Sequence, residues 1–314
     1  GDGSYPHMSF SFMPRRPLLA LLVSVAAWAT MLGSDALAPA PAQPHVTAAV
    51  IGPPLYISLG DSLAAGWQPD RYGHDRATNK GYVDVVARSL ARSHPGLQVK
   101  RMSCGGATSG TLLNGGAGCQ PHGEHSQVER AEEALRSDPA AVLVTVNIGD
   151  NDIEMCIDGN TGAADAACMK RGEATLERTL PQIAARLRAA APPSTRIIGL
   201  VDYDQFLSLW LDGAKGRAAA KRSLGIIRTL NQTIARIYQQ AGIEVADAGG
   251  RFATEDFTHT RWLHGYGRVP LAVYNICTLT WACSPEPIGH DDHARPAGYR
   301  QIALAILDVL NPQH

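Results

Sequence analysis

The stretch Tyr56-Ile-Ser-Leu-Gly-Asp-Ser-Leu-Ala-Ala-Gly66 decides the fold of this chain. Leu55 to Leu59 is a short apolar run with β-branched and aromatic members, which predicts a buried strand. Gly60 interrupts the run, and Asp61-Ser62 then precedes good helix formers, so a helix is predicted to begin there. A serine at such a junction has its hydroxyl at the edge of the sheet, beside uncommitted backbone N–H groups. This geometry suits a nucleophile, although an ordinary Asp/Ser helix cap gives the same pattern.

Strand and helix patterns alternate about five times beyond this stretch. Further strands are predicted at 97–102, 140–148, 196–201 and 242–246, and helices at 82–92, 126–137, 173–190, 218–241 and from 296 onward. Such alternation predicts one doubly wound α/β domain with a parallel sheet. Residues 251–290 show no regular pattern, and loops of this length inside a domain are usually functional.

Polar clusters follow two of the predicted strands. Ser103-Cys-Gly-Gly-Ala-Thr108 follows the strand at 97–102, and Gly149-Asp-Asn-Asp152 follows the strand at 140–148. In open α/β sheets ligands bind at the carboxyl ends of strands, where these clusters fall. Paired glycines also permit a turn whose N–H groups point outward. A plain glycine-rich loop and a structural turn rich in Asx residues would have the same composition.

One of the eleven histidines has a distinctive context. His293 lies just before the closing helix, with Asp291 and Asp292 beside it. An ester hydrolase that uses serine needs a base, a group that orients the base, and oxyanion donors. The pattern G-x-S-x-G is absent around Ser62, which disfavours the α/β-hydrolase nucleophile elbow. No Walker A or G-x-G-x-x-G sequence follows a strand, which argues against phosphate and dinucleotide binding.

The composition is that of a globular protein, and its balanced charge gives no sign of a strongly charged partner. The 314 residues are 45% hydrophobic and 18% charged, which provides ample material for a core. The formal net charge is −1 and the pI is near 6.9, so the sequence carries no electrostatic footprint for nucleic acid.

The first 54 residues do not fit the domain pattern. Residues 1–12 are interpreted as a cloning remnant or a misassigned start. Residues 13–38 combine a basic segment, an apolar segment and a small-x-small site, which predicts a secretory signal peptide rather than an uncleaved anchor. Residues 39–54 are rich in proline and alanine, which predicts a disordered lead-in. The catalytic domain is then expected to cover residues 55–314.

Six cysteines agree with export to an oxidising compartment. In chain order they form three consecutive pairs that would each close a short loop, although the sequence does not prove the pairing. No C-x-x-C pair occurs, so a zinc site is not expected. The cysteines are Cys104, Cys119, Cys156, Cys168, Cys277 and Cys283.

Four sequence blocks together resemble the SGNH, or GDSL-type, hydrolases. They are Gly60-Asp61-Ser62-Leu63, Gly106 within Cys-Gly-Gly-Ala-Thr, Gly149-Asp150-Asn151-Asp152, and the C-terminal His293. The resemblance extends from about Leu55 to Leu310, and the signal peptide and cysteine pairs resemble secreted actinobacterial members. It implies a three-layer α/β/α sandwich, of the flavodoxin-like kind, around a parallel sheet of about five strands.

The resemblance also implies a role for each residue. Ser62 would be the nucleophile and His293 the base that takes its proton. The backbone N–H groups of Ser62 and Gly106, with the side-chain amide of Asn151, would form the oxyanion hole. The usual acid of the family stands three residues before the histidine, where this chain has His290. Asp291 matches the D-x-H spacing associated with the actinobacterial group, whereas some secreted relatives use a main-chain carbonyl instead.

Three functions follow as alternatives. The first is a secreted serine esterase or lipase, the second a carbohydrate acetylesterase of the same fold, and the third a non-catalytic surface-binding module. The expected partner is a small-molecule or lipid ester, with contact at a lipid interface as one expectation, and no nucleic acid is expected to bind. No metal or other cofactor is expected, and the chain is expected to be monomeric.

Overall fold

The computed structural model describes residues 52–116 and 125–311, where strands and helices alternate. The strands are β1 (Leu55–Gly60), β2 (Gln68–Pro69), β3 (Asp75–Arg76), β4 (Gln98–Arg101), β5 (Ala141–Asn147), β6 (Arg196–Val201), β7 (Glu244–Asp247), β8 (Thr260–Leu263) and β9 (Gly267–Pro270). The α-helices are α1 (Tyr82–Leu90), α2 (Ser109–Asn114), α3 (Gln127–Ser137), α4 (Ala166–Ala190), α5 (Gly213–Gln240), α6 (Ala248–Arg251), α7 (Leu271–Leu279) and α8 (Pro296–Leu310). Short 3₁₀ helices cover Asp150–Asp152, Glu154–Cys156 and Gln205–Leu211.

The central sheet contains five parallel strands in the order β4-β1-β5-β6-β7. The chain runs from β1 to β4 on one side and then crosses to β5 on the other. The strand order therefore reverses between β1 and β5, and such a switch point opens a crevice at the carboxyl edge of the sheet. Gly60, at the end of β1, is paired with Asn147, at the end of β5, so the loops that follow both strands begin together.

Helices cover both faces of the sheet because its strands are apolar on both sides. Leu55, Ile57 and Leu59 of β1 belong to the core beneath α3, α4 and α5, whereas Tyr56 belongs to the core beneath α1 and α8. Successive side chains of a strand point to opposite faces, so one six-residue strand contributes to both cores. These layers confirm the predicted three-layer α/β/α fold.

The helix predicted to begin at Asp61-Ser62 is wrong. Residues 61–66 form one turn, with the N–H of Ala65 bonded to the carbonyl of Asp61 at 3.0 Å. Gly66 ends the turn in the left-handed region, at φ 68°. The chain needs this early stop because residues 67–81 next form the β2–β3 hairpin and its connections, and α1 begins only at Tyr82.

Residues 251–290 are more regular than the sequence pattern indicates. They contain the antiparallel hairpin β8–β9 and the helix α7, whose Cys277 forms a disulfide with Cys283 just beyond the helix. The hairpin strands have only four residues each, too few to show a clear period. Residues 202–211, which follow β6, include the 3₁₀ helix Gln205–Leu211.

Two of the three expected disulfides are present, Cys156–Cys168 and Cys277–Cys283. The expected pair of Cys104 with Cys119 involves a residue outside the described ranges. The predicted signal peptide and most of the lead-in also lie outside them. None of the helices described is both long and apolar enough to span a membrane.

Candidate active site

Ser62, Asn151 and His293 line one small cavity at the carboxyl edge of the sheet. Its volume is about 20 Å³, room for little more than one water molecule. The structure thus brings together three residues that lie far apart in the sequence. The other lining residues are Asp61, Leu63, Asp150, Glu154, Asp202, Tyr203, Gln205 and Asp292.

The turn that carries Ser62 is held from two sides. Gly60 has a φ of 144°, and a Cβ at this position would lie 2.2 Å from the carbonyl oxygen of Asn147. Only glycine fits this approach of β1 to β5. The Gln127 side chain donates to the Gly60 carbonyl at 2.8 Å and accepts from its N–H at 2.9 Å. The Asp61 carboxylate accepts the N–H of Leu63 at 3.0 Å, which fixes the turn around Ser62.

The two glycine-containing blocks are joined by side-chain hydrogen bonds. The Asn151 amide donates to the carbonyl of Ala107 at 3.1 Å, next to Gly106. Asp152 accepts the N–H of Ser109 at 2.8 Å and its hydroxyl at 2.6 Å. Gly106 itself is exposed, has a φ of 72°, and is not among the residues that line the cavity. Asp152 therefore has a structural role, while Asn151 keeps a second N–H that is free to donate.

The His293 ring is buried beside a carboxylate from its own loop. Its Nδ1 lies 3.1 Å from Oδ1 of Asp291, whose side chain is only 7% exposed. Asp292 and Asp75 lie farther from Nδ1, at 3.5 Å and 3.8 Å. The bond to Asp291 uses Nδ1 and leaves Nε2 as the nitrogen available to a substrate or nucleophile. Within the described residues no hydrogen bond joins this ring to the Ser62 hydroxyl.

These carboxylates make His293 an unusually strong base. Burial alone would lower the pKa of the imidazole, but the hydrogen bond that the ring donates to Asp291 and the charges of Asp292, Asp291 and Asp75 outweigh it. The result is a pKa raised to about 9. The pKa of Asp291 is lowered, because its bonds to His293 and Asp75 outweigh the effect of burial. The pair is thus poised as imidazolium and carboxylate near neutral pH.

Trp67 links two parts of the site, and the sequence pattern did not predict this. Its ring centroid lies 5.8 Å from that of His293. A Cβ at Gly105 would lie 2.1 Å from the same indole, so the glycine lets the ring lie against this loop. The Tyr299 hydroxyl donates to the Trp67 carbonyl at 2.7 Å. In sequence, Trp67 is one aromatic residue in a polar loop, and nothing there indicates its partners.

Buried carboxyl groups form much of the cavity wall. Burial is the main cause that raises the pKa of four of these groups, and neighbouring acids raise it further. The four are Asp61, Asp150, Asp202 and Glu154. The pKa of Glu154 reaches about 9, so this side chain is neutral at pH 7. Glu154 can therefore lie beside an uncharged ester without adding a negative charge to the cavity.

A larger cavity, of about 690 Å³, lies between α5 and α6. It shares Asp202 with the smaller cavity but is not lined by Ser62, Asn151 or His293. We assign the candidate active site to the smaller cavity because Ser62, His293 and Asn151, the residues expected to supply the nucleophile, the base and an amide donor, meet there. The carboxylates of Asp75 and Asp291 and the His293 ring also lie within 4.8 Å of one another, a spacing at which a cation could be held.

The fold and this site are those of an α/β/α hydrolase with a serine and a histidine at the switch point of the sheet. The model of the GDSL-like lipase/acylhydrolase family matches residues 58–301. The chain belongs to this family and is a carboxylic ester hydrolase, which excludes the non-catalytic binding module. A search among curated proteins found no match.

Solved structures share the fold at low sequence identity. Phospholipase A1 from Streptomyces albidoflavus NA297 is 22% identical, with a TM-score of 0.52 over 83% of this chain and 100% of that chain. An extracellular lipase from Streptomyces rimosus is 21% identical, with a TM-score of 0.48 over 82% and 99% of the two chains. An acetyl xylan esterase from Geobacillus stearothermophilus is 16% identical, with a TM-score of 0.48 over 83% and 96%.

Proposed function

We propose that the chain is a secreted serine esterase that hydrolyses carboxylic esters through an acyl-enzyme, with Ser62 as nucleophile and His293 as general base. The observation that carries the proposal is the cavity shared by Ser62, Asn151 and His293, in which Asp291 holds Nδ1 of the ring. A nucleophile, a base and an orienting carboxylate in this order are the parts that acyl transfer requires. The two disulfides support export.

In this mechanism Ser62 Oγ attacks the ester carbonyl while Nε2 of His293 takes the hydroxyl proton. The oxyanion that forms accepts hydrogen bonds from the N–H group of Ser62 and from the Asn151 amide. The family resemblance adds the N–H group of Gly106, although this residue does not line the cavity. The imidazolium then gives its proton to the leaving alcohol. Water, deprotonated by His293, next attacks the acyl-enzyme; the bond to Ser62 Oγ breaks, the acid is released, and the imidazolium returns its proton to Ser62 Oγ. Each oxyanion donor typically contributes about 3–4 kcal/mol to stabilising the transition state.

The missing Ser62–His293 hydrogen bond is compatible with this mechanism. In enzymes without substrate, catalytic hydrogen bonds are often long and shorten only in the complex. Asp291 fixes the ring, and Gln127 and Asp61 fix the turn that carries Ser62. A small rotation of the serine side chain is therefore the motion that we expect on substrate binding.

The β8–β9 hairpin supports a lipid ester as the substrate. Trp262 and Tyr266 expose 71% and 56% of their surface there, and aromatic rings of this kind favour the lipid–water interface. Residues 257–285 contain no Asp or Glu. Arg261 and Arg268 make no ion pair with any residue that the structure describes, so their charges are available to anionic headgroups.

The size of the cavity favours a second candidate, an esterase for acetyl groups such as those on carbohydrate. Its volume of about 20 Å³ suits an acetyl group better than a long acyl chain. A series of model esters from acetyl to longer acyl groups, with one phospholipid, separates the candidates. Preference for acetyl esters would favour the second, and hydrolysis of longer chains or phospholipid the first.

The proposal is tested by substitution of the nucleophile with a matched serine control. Ser62→Ala should reduce hydrolysis of a p-nitrophenyl ester by about 10³-fold or more while the circular dichroism spectrum is retained. The Ser93 hydroxyl lies 3.0 Å from Nδ1 of His94, but Ser93 is exposed and outside the cavity, so Ser93→Ala should keep full activity. Undiminished turnover in Ser62→Ala, or no Ser62 adduct with a fluorophosphonate, would refute the assignment.

A further inference from the structure

The β2–β3 hairpin brings a third carboxylate to His293, and the sequence pattern gave no sign of it. Asp75 lies on β3, more than two hundred residues before the histidine, with its Oδ1 3.8 Å from the ring Nδ1. Its carboxyl group also contacts that of Asp291. About a third of the Asp75 side chain, 32%, is exposed, while that of His293 is 10% exposed. A residue from a separate element thus closes the solvent side of the histidine–aspartate pair.

Several contacts hold the hairpin in this place. The Thr78 hydroxyl donates to the Gly66 carbonyl at 2.6 Å, and Gln68 donates to Thr78 at 3.1 Å, which closes the base of the hairpin. Gly73, at its tip, lies so near the carbonyl of Pro287 that a Cβ would be 2.2 Å from that oxygen. The hairpin is therefore packed against the segment that leads to His293, and Asp75 is held in place beside the ring.

The ring is surrounded by acids without a compensating cation. Asp75 faces it from β3, Asp291 and Asp292 from its own loop, and Asp61 from the turn after β1. The Tyr299 phenol nearby stays neutral, since burial and these acids raise its pKa. In the described part of the chain no Lys or Arg pairs with any of the four carboxylates. Among the described residues, the imidazolium of His293 is the cation that faces Asp75, Asp291 and Asp292 directly.

We propose that Asp75 is a positioning residue of the catalytic centre, whose charge beside Asp291 stabilises the imidazolium formed when Ser62 attacks. This inference rests on the proposed function for its kinetic part. It adds to the Ser62, His293 and Asp291 set a carboxylate that acts through the base and does not touch the substrate.

The charge of Asp75 should change the catalytic rate in opposite directions at neutral pH and at high pH. Burial, and then the contact with Asp291, raises the pKa of Asp75 to about 7, so it is ionised where His293 titrates. Removal of this charge makes the imidazole a weaker base. More of the ring is then neutral and active near pH 7, whereas at high pH the transition state loses part of its electrostatic stabilisation.

The test is the pH profile of kcat/KM for a soluble ester, from pH 6 to 10, with the Ser62→Ala rate subtracted. For Asp75→Asn we expect the acidic limb of the profile to move to a pH about 0.5–1 unit lower. We also expect the value of kcat/KM on the high-pH plateau to fall roughly 3–10-fold. The two profiles should therefore cross. Asp75→Glu should restore the parent profile. Asp75→Ser should behave like Asp75→Asn, which provides a second neutral variant.

A matched control removes a charge from the same hairpin. The Asp70 carboxylate accepts the N–H groups of Tyr72 and His74 at 2.8 and 3.1 Å, bonds that an asparagine oxygen can keep. Asp70→Asn should therefore overlay the parent profile. If Asp75→Asn overlays it too, or lowers the rate equally at every pH, Asp75 has no role or a merely structural one, and the inference is overturned.

A measurement without catalysis separates this inference from the proposed function. The His293 ring can be titrated by NMR in the folded parent and in Asp75→Asn, and its apparent pKa should fall in the variant. If hydrolysis does not depend on Ser62, the proposed function fails, while the titration still decides whether Asp75 acts on the ring. If hydrolysis depends on Ser62 but the titration does not move, only the inference fails.

Discussion

One oxygen of Asp291 contacts His293 twice: Oδ1 accepts the backbone N–H of His293 at 2.9 Å and lies 3.1 Å from its ring Nδ1. The two-residue spacing makes this double contact possible, because an aspartate side chain readily reaches the N–H two residues on. His290, at the position where the family usually has its acid, adopts a φ of 32° and is exposed. The geometry supports Asp291, rather than a main-chain carbonyl, as the group that orients the base.

Replacement of Asp291 should therefore cause a severe loss of activity. We expect Asp291→Asn to lower kcat by about 10²–10⁴-fold, because the amide no longer stabilises the imidazolium and can favour the wrong tautomer. Asp292, which is 40% exposed and 3.5 Å from Nδ1, serves as the control. Asp292→Asn should lower kcat by less than about 10-fold. A loss of only a few-fold in Asp291→Asn, measured by steady-state kinetics, would instead indicate orientation by the main chain.

The pH profile of the parent enzyme follows from the charge around His293. In the proposed mechanism the ring must be neutral to take the Ser62 proton, and its pKa is raised to about 9, well above the ordinary value near 6.5. We therefore expect kcat/KM for a soluble ester to rise with pH until about pH 9. A plateau already reached at pH 7 would show that the acids do not act on the ring as the structure indicates.

The contact between Gly105 and Trp67 offers a test of how the site is packed. Gly105→Ala would place a methyl group within the indole ring and force Trp67 away from His293. We expect overpacking to lower the free energy of unfolding by about 1–3 kcal/mol, and kcat to fall roughly 10-fold. Gly225, exposed on α5 with open space around it, is the control. Gly225→Ala should raise stability by about 0.5–1 kcal/mol in urea unfolding and leave kcat unchanged.

The β8–β9 hairpin should determine how strongly the protein binds to lipid vesicles. We expect the parent to co-sediment with phosphatidylglycerol vesicles more than with phosphatidylcholine vesicles, and less at high salt, because Arg261 and Arg268 are unpaired among the described residues. The double substitution of Trp262 and Tyr266 by Ala should weaken binding about 10-fold. Met155, 84% exposed and outside the hairpin, provides an apolar control.

Activity on a soluble ester gives the second readout for the hairpin. Neither Trp262 nor Tyr266 lines the candidate active site, so the double variant should keep the parent rate on a water-soluble substrate. Equal vesicle binding by the parent and the double variant would show that the hairpin does not contact the lipid.

Much of the fold could be predicted from sequence because its signals are local. The apolar runs of the sheet strands and the amphipathic helices have periods that are visible in a single chain. Boundaries were less accurate: α4 begins at Ala166 rather than 173, because Asp165 caps it by accepting the N–H groups of Ala167 and Cys168. The helix expected after Ser62 was wrong, since the stop at Gly66 serves the hairpin that follows.

The candidate site was predicted only in part. Ser62, Asn151 and His293 stood out because each follows a strand or precedes a helix in a recognisable block, and the structure brings them to one cavity. Trp67, Asp75 and Gln127 were missed because their partners are remote in sequence. Their contacts with Gly105, His293 and Gly60 exist only once the sheet and its hairpins are assembled.

The sequence by itself determined the parallel α/β architecture, the family and the residues with reactive groups, since short-range patterns and block order encode all three. Only the tertiary structure decided which acids surround the histidine, how strong a base it is, and how little room the cavity leaves. Those properties depend on distances between side chains and on exclusion of water. Both arise when β1, the β2–β3 hairpin and the loop before α8 meet at the carboxyl edge of the sheet.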